Sequence, residues 1–429
     1  MKTLVCVLLI TIAGSVAVGA SENRSLSPAE LRIESAQKVL QRQPNRYQAY
    51  NDLALALVQR ARETADKSYY PQAQAAIESS LRIQPENFEA GQAHAALLLA
   101  EHRYGAALEE AQALNHRMPD AVLVWGYMAD AEAALGDYKK AEESAQWMMN
   151  LRPGNLPAYL TAAALRQDWG DIDGALDFLM KALQQTPPLE TEATAWILTR
   201  MARLQRQSAR ADAAEALLLQ ALKTFPDYYL SLEELAEVRL AQHHYPEAVE
   251  LMEKRNRSFP SPSSHFLEAR AFEQAGRPAG AATLYAEFER EARAQIALPD
   301  NANLELISYY VDHIHQPQEA LRIARLEMEN RRDVWALDAY AWALYANGQY
   351  AEASQQIEKV LAVGTRDAVV FYHAGAIEAA DGKKAEASRY FQQSLDLNPT
   401  SEVSEAARRA VIQFGDYKAV RYAPGSSRP

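Results

Sequence analysis

The side chains in this chain that could do chemistry are few and poorly spaced for it. His243 and His244 are adjacent, and His313 and His315 flank Ile314. Metal ligands on a helix need a spacing of three or four to share a face. Neither pair has it, so both read as solvated residues at helix ends and turns. The acid pairs Glu109-Glu110, Glu142-Glu143 and Glu233-Glu234 read as exposed helix residues rather than paired catalytic carboxylates. The chain contains no phosphate-binding glycine loop, no His-Glu-x-x-His and no Gly-x-Ser-x-Gly. Its one cysteine, Cys6, lies in an N-terminal apolar run, which excludes a disulfide framework and a thiolate metal site elsewhere. The expectation is no catalytic residue, no metal, no cofactor and no enzymatic activity.

The elements that hold these residues follow from composition. Across 429 residues, 48% are hydrophobic and 23% charged, which excludes general disorder. With 17 glycines and 19 prolines, turn residues are too scarce for a sandwich or barrel, so the reading moves towards helix. The net charge of −12 argues against a nucleic-acid partner, which needs a basic footprint.

A repeat organises the chain. Pro85, Pro119, Pro153 and Pro187 are 34 residues apart, as are Pro226 and Pro260. Alanines keep a second register at 73, 107, 141, 175, 214, 248, 281, 320, 353 and 387. Twelve residues before each of the last nine stands another small residue: Ala95, Ala129, Ala163, Ala202, Ala236, Ala269, Ser308, Ala341 and Gly375. In the first unit Ala54 precedes Ala73 by 19, so that unit carries seven extra residues. Each unit reads as two antiparallel helices whose backbones approach at the small residues. In the third unit Trp125, Met128, Leu135, Tyr138 and Leu151 are expected to fill the space around the crossing. Gly136, Gly170 and Gly348 end first helices in the left-handed conformation, and the closing proline stops the second helix.

These residues resemble the tetratricopeptide repeat family, most closely at "VWGYMADAEAALGDYKKAEESAQWMMNLRP" (124–153). The resemblance covers residues 45–401 as ten units: 45–85, 86–119, 120–153, 154–187, 188–226, 227–260, 261–299, 300–333, 334–367 and 368–401. It implies an all-α fold, a right-handed superhelical solenoid with terminal cap helices. It also implies work as a scaffold that holds a protein or peptide along a concave groove, lined at unit positions 2, 5, 9, 12 and 13 of each first helix. Carried onto the last three units, those positions are Tyr309, Trp335, Trp342, Tyr345 and Tyr372, with the acids Glu305, Asp312 and Asp338. These rings are expected either to be exposed anchors for a basic or amine-bearing segment or to pack against the next helix pair. In the fifth unit Trp196, Thr199, Arg203 and Arg206 form a patch suited to a carboxylate or phosphate, or are simply solvated. The lysine and asparagine clamp of heat-shock-chaperone adaptors is absent: the early units carry Asn51, Leu55, Gln92, Ala96, Gly126 and Asp130 there.

The flanks complete the reading. Residues 1–20 have Lys2, an apolar run and Val18-Gly19-Ala20, the pattern of a secretory signal peptide cleaved after Ala20, with an uncleaved anchor as the alternative. Its removal leaves a net charge of −13. Residues 21–44 are expected to hold a linker and a cap helix opened by Ser27-Pro28-Ala29-Glu30. A second cap helix is expected at 402–415 and a disordered tail at 416–429. The function expected is an exported, periplasmic or extracellular scaffold with protein or peptide partners, in contact with membrane only through them. The alternative is a structural or assembly subunit of a bacterial envelope complex.

Overall fold

The computed structural model describes residues 26–414. The signal-peptide segment and the tail fall outside the described residues. Within them there are 22 α-helices, one extended by a π-helical turn, and no strand. The helix Pro28–Arg42 opens the array. The Ser27 side chain accepts from Glu30 N and the Glu30 side chain accepts from Ser27 N, so two otherwise unpaired N-terminal amides are satisfied. Ten helix pairs follow, from Tyr47–Thr64 with Tyr69–Ile83 to Ala368–Ala380 with Lys384–Leu397. The helix Ser404–Phe414 closes it.

The alanine register is the packing register. Ala73, Ala107, Ala141, Ala175, Ala214, Ala248, Ala320, Ala353 and Ala387 are completely buried, and their partners twelve residues earlier are nearly so, except the half-buried Ser308. A larger side chain at such a crossing would force the helices apart, at a cost of roughly 1–3 kcal/mol. Gly375 shows the tolerance: a Cβ there would stand 2.6 Å from the Phe391 ring. Leu151, expected among the residues filling the third crossing, instead has 37% of its surface exposed.

Second helices end just before the repeat prolines, at Gln84, Met118 and Arg152. First helices end through a left-handed residue, which is glycine at 136, 170, 276, 348 and 382. Other units place His102, Ala209, His243 or His315 in that conformation. This accounts for two of the four paired histidines: they occupy turns.

What shapes the molecule lies between distant units. The backbone N–H of Arg332 donates to Ala134 O at 2.8 Å, and that of Val334 donates to the Tyr138 hydroxyl at 3.1 Å. The Thr365 hydroxyl donates to Asp168 O at 2.8 Å, and Asn398 Nδ2 donates to Arg206 O at 3.2 Å. In each case the turn region between the two helices of one unit meets the junction between units five or six repeats later. The superhelix therefore lies against itself, one turn on the next. The N-terminal units also reach across: Arg62 binds Glu192 through two hydrogen bonds of 3.0 and 2.6 Å, and Lys67 Nζ lies 2.8 Å from Asp300.

Candidate functional site

Because successive turns touch, the concave face is narrowed to a part-open interior rather than a wide cradle. Two cavities divide it, and Glu233 lines both. The larger, about 1210 Å³, has Trp196, Tyr127, Tyr229 and Asp130 among its walls and is closed by Glu305 and Arg331 from the eighth unit. The smaller, about 860 Å³, is bounded by Arg203, Arg206 and Glu234 on one side and by Trp335, Asp338 and Glu402 on the other.

Most interior charges are paired. Arg203 Nε donates to Glu234 Oε2 at 3.0 Å and Arg206 Nε to Glu234 Oε1 at 2.5 Å. Glu234 is 1% exposed, which corrects its assignment to the exposed helix acids. Burial alone would raise its carboxyl, but the two guanidinium groups outweigh burial and hold it below its usual value. The arginine patch expected to take an outside carboxylate or phosphate is thus already occupied by one from the next unit. Arg270 bridges Glu237 and Glu402. Arg255 Nε donates to Glu233 at 2.6 Å. Glu192 is completely buried, held by Arg62 and by the Tyr228 hydroxyl at 2.7 Å.

Three interior groups lack such pairing. Arg200 donates to Gln167 at 2.8 Å and lies 5.2 Å from the centre of the Trp196 ring, with no carboxylate in ion-pair reach. Burial, then the neighbouring Arg203, lowers it to about 10. Asp130 is exposed on the wall of the larger cavity, and the protein crowded around that cavity raises its carboxyl to about 6. Asp168 is raised to about 7, by burial first and by Asp333 second. Sequence spacing gave no sign of these two acids' surroundings, although Asp130 stands at a groove position.

The C-terminal aromatics divide. Tyr309 is only 7% exposed, stacked on Tyr285 at 5.3 Å and set edge-on to Phe288, so it belongs to the core rather than the groove. The reason is local. Helix Asn303–Ser308 passes into the π-helical turn Tyr309–His313, and the wider turn breaks the α-helical register that placed Tyr309 on the concave face. Trp342 is 8% exposed and is likewise not an exposed anchor. Its indole is sandwiched by Tyr345 at 4.7 Å and His373 at 4.1 Å, and its Nε1–H donates to Asp312 at 3.0 Å. Tyr345 and Tyr372 are half-buried in the same stack. These rings pack on the next helix pair. Of the groove residues expected in the last three units, Glu305 lines the larger cavity, and Trp335 and Asp338 line the smaller, where they face Arg203 and Arg206. Asp338 holds His373 Nδ1 at 3.0 Å. Burial pulls the His373 imidazole down, but Asp338 more than offsets it, and the net shift is upward.

The tetratricopeptide repeat family model matches three stretches of the chain, residues 199–259, 234–296 and 339–402. No curated protein matches. Among solved structures, the human IFIT1 dimer with PPP-AAAA is 14% identical, with 85% of this chain and 87% of that chain covered and a TM-score of 0.49. Yeast Tom70 is 13% identical, with coverage of 84% and 94% and a TM-score of 0.37. PilF of Pseudomonas aeruginosa is 15% identical, with coverage of 60% and 92% and a TM-score of 0.33.

Proposed function

Because this chain belongs to the tetratricopeptide repeat family, a family of protein-interaction scaffolds, we propose that it holds an extended protein segment inside its narrowed groove, without catalysis. The observation that carries this reading is the pair of linked cavities, about 1210 and 860 Å³, walled by Trp196, Tyr127, Tyr229 and Trp335. Cavities of this volume suit a single strand of chain, whereas a folded domain needs a broader face. Aromatic walls supply contact area at low entropic cost. Asp130, without a paired cation, favours a basic side chain on the segment.

The same proposal includes the compartment. The pattern over residues 1–20 favours export and work in the periplasm or outside the cell. The mass of the mature chain checks this: loss of residues 1–20 supports it, and a retained N-terminus in the cytoplasmic fraction rejects it.

In-cell cross-linking of the tagged chain tests the groove. The informative variant is Trp196→Ala with Trp335→Ala, because both rings line the cavities, whereas Trp342 is core. Loss of the main cross-linked partner with unchanged helicity and melting supports the reading. Full retention of that partner rejects it.

A further inference from the structure

The contacts between turns differ in kind from those within the array. Inside each unit the helices meet over buried alanines and a continuous apolar core. Between the third and fourth units and the starts of the ninth and tenth, the joints are single polar bonds: Arg332 N to Ala134 O, Val334 N to Tyr138 Oη, and Thr365 Oγ1 to Asp168 O. The Tyr138 ring carries apolar packing across, onto the core of the C-terminal units. Parting this seam removes the Tyr138 packing but leaves the helix crossings inside each repeat intact.

A carboxyl sits in this seam. Asp168 is the last residue of helix Leu156–Asp168, where the helix dipole already disfavours negative charge. Across the seam stands Asp333. It caps helix Val334–Ala346, accepting from Trp335 N at 3.0 Å and Ala336 N at 3.2 Å, and it receives Arg331 Nε at 2.5 Å. The other groups around Asp168 are the Tyr138 hydroxyl, which hydrogen-bonds it, and the cations Arg200 and Arg331. Arg366 lies against the adjoining Gly170.

We propose that this seam is a latch over the groove, set when the Asp168 carboxyl is protonated and released when it ionises against Asp333. The latch governs whether a segment can enter from the side, so its biological use rests on the groove reading, but its existence can be tested without any partner.

The direction follows from linkage. Asp168 titrates near 7 in the closed seam, against an ordinary value of 3.8. The closed form therefore binds the proton more tightly, and closure weakens as pH rises from 3.8 through 7. Between pH 6 and pH 8 the closure constant falls about tenfold. His102, which also faces an inter-turn contact through Asp300, is lowered by its burial. His373 is raised and titrates elsewhere, between the ninth and tenth units.

Amide hydrogen exchange of the full chain reads the seam directly. Arg332 and Val334 donate across it, while Arg277 donates to Phe272 O in a turn remote from it. Expressed as protection factors, the two seam amides are expected to lose about tenfold between pH 6 and pH 8, with Arg277 unchanged. Asp168→Asn is expected to hold the pH 6 protection at both values. Should that variant lose protection at Arg277 as well, Asp333→Asn serves instead, since asparagine still caps a helix; it is expected to move the transition to lower pH. Seam protection that does not change with pH in the parent chain, or a full tenfold change surviving in Asp168→Asn, overturns the latch. Neither result bears on partner capture, which the tryptophan variant reads separately.

Discussion

Gly136 and Gly170 occupy the same place in their repeats as Gly276 and Gly382, and all four have positive φ, at 84°, 69°, 70° and 86°. Their surroundings differ. A Cβ on Gly276 or Gly382 would meet nothing within 4 Å. On Gly136 it would stand 2.7 Å from Arg332 O, and on Gly170 2.5 Å from Gly364 O. The first pair is needed only to end a helix. The second also admits the next superhelical turn, because backbone can approach a residue that has no side chain. One repeat position thus carries two functions, and only the long-range geometry tells them apart.

The largest test of this contrast is Gly170→Ala against Gly382→Ala. Both add the strain of a left-handed alanine, about 1–2 kcal/mol. Gly170→Ala also drives a methyl group into fixed backbone, so a total of about 3–4 kcal/mol is expected. Urea titration, with exchange at Arg332 N to show local opening, measures the gap. Equal losses would mean that the turns do not touch in solution.

Two ion pairs with the same 2.6 Å separation extend the contrast: Arg62–Glu192 across the interior and Lys181–Asp177 on one helix. Glu192→Ala leaves the buried Tyr228 hydroxyl without its acceptor and is expected to cost about 2–3 kcal/mol. Asp177→Ala, on an exposed helix face, is expected to cost under about 0.5 kcal/mol. Midpoints of urea unfolding for the two variants decide this.

His373–Asp338 ties adjacent units rather than adjacent turns. The imidazole is raised in the fold, so its contribution is fully present below its unfolded value and is lost as pH rises through the raised one. His373→Gln is expected to cost about 1–2 kcal/mol at pH 5.5 and less at pH 8.5, leaving exchange at Arg332 N unaltered. An effect independent of pH would show that the imidazole is neutral.

The smallest effect has the opposite sign. Ala209 is left-handed at φ 57° in the fifth unit, where other units use glycine. Ala209→Gly is expected to stabilise by about 0.5–1 kcal/mol, read as a higher urea midpoint. A loss of stability would mean that the Ala209 methyl makes packing worth more than the strain.

The alanine register, the repeat prolines, the turn glycines and the Ser27 capping box were all legible as local chemistry. Each depends on residues within one repeat of one another, and the buried alanines bear that reading out. The groove was legible only in part. Trp335, Asp338 and Trp196 line cavities, whereas a π-helical turn withdraws Tyr309 and stacking withdraws Trp342. A helical wheel assumes an unbroken period and cannot register a single wider turn.

What the sequence by itself determined is the unit: two helices, a small-residue crossing and a left-handed turn, repeated ten times between two caps. Only the tertiary structure decided that one superhelical turn lies against the next and narrows the groove. That closeness depends on the rotation between units summed over five or six of them, and no residue pattern encodes that sum. The contacts it creates, such as Val334 with Tyr138 and Thr365 with Asp168, join residues nearly 200 positions apart. Their partners follow no period, because each seam contact is made once where the repeat is made ten times.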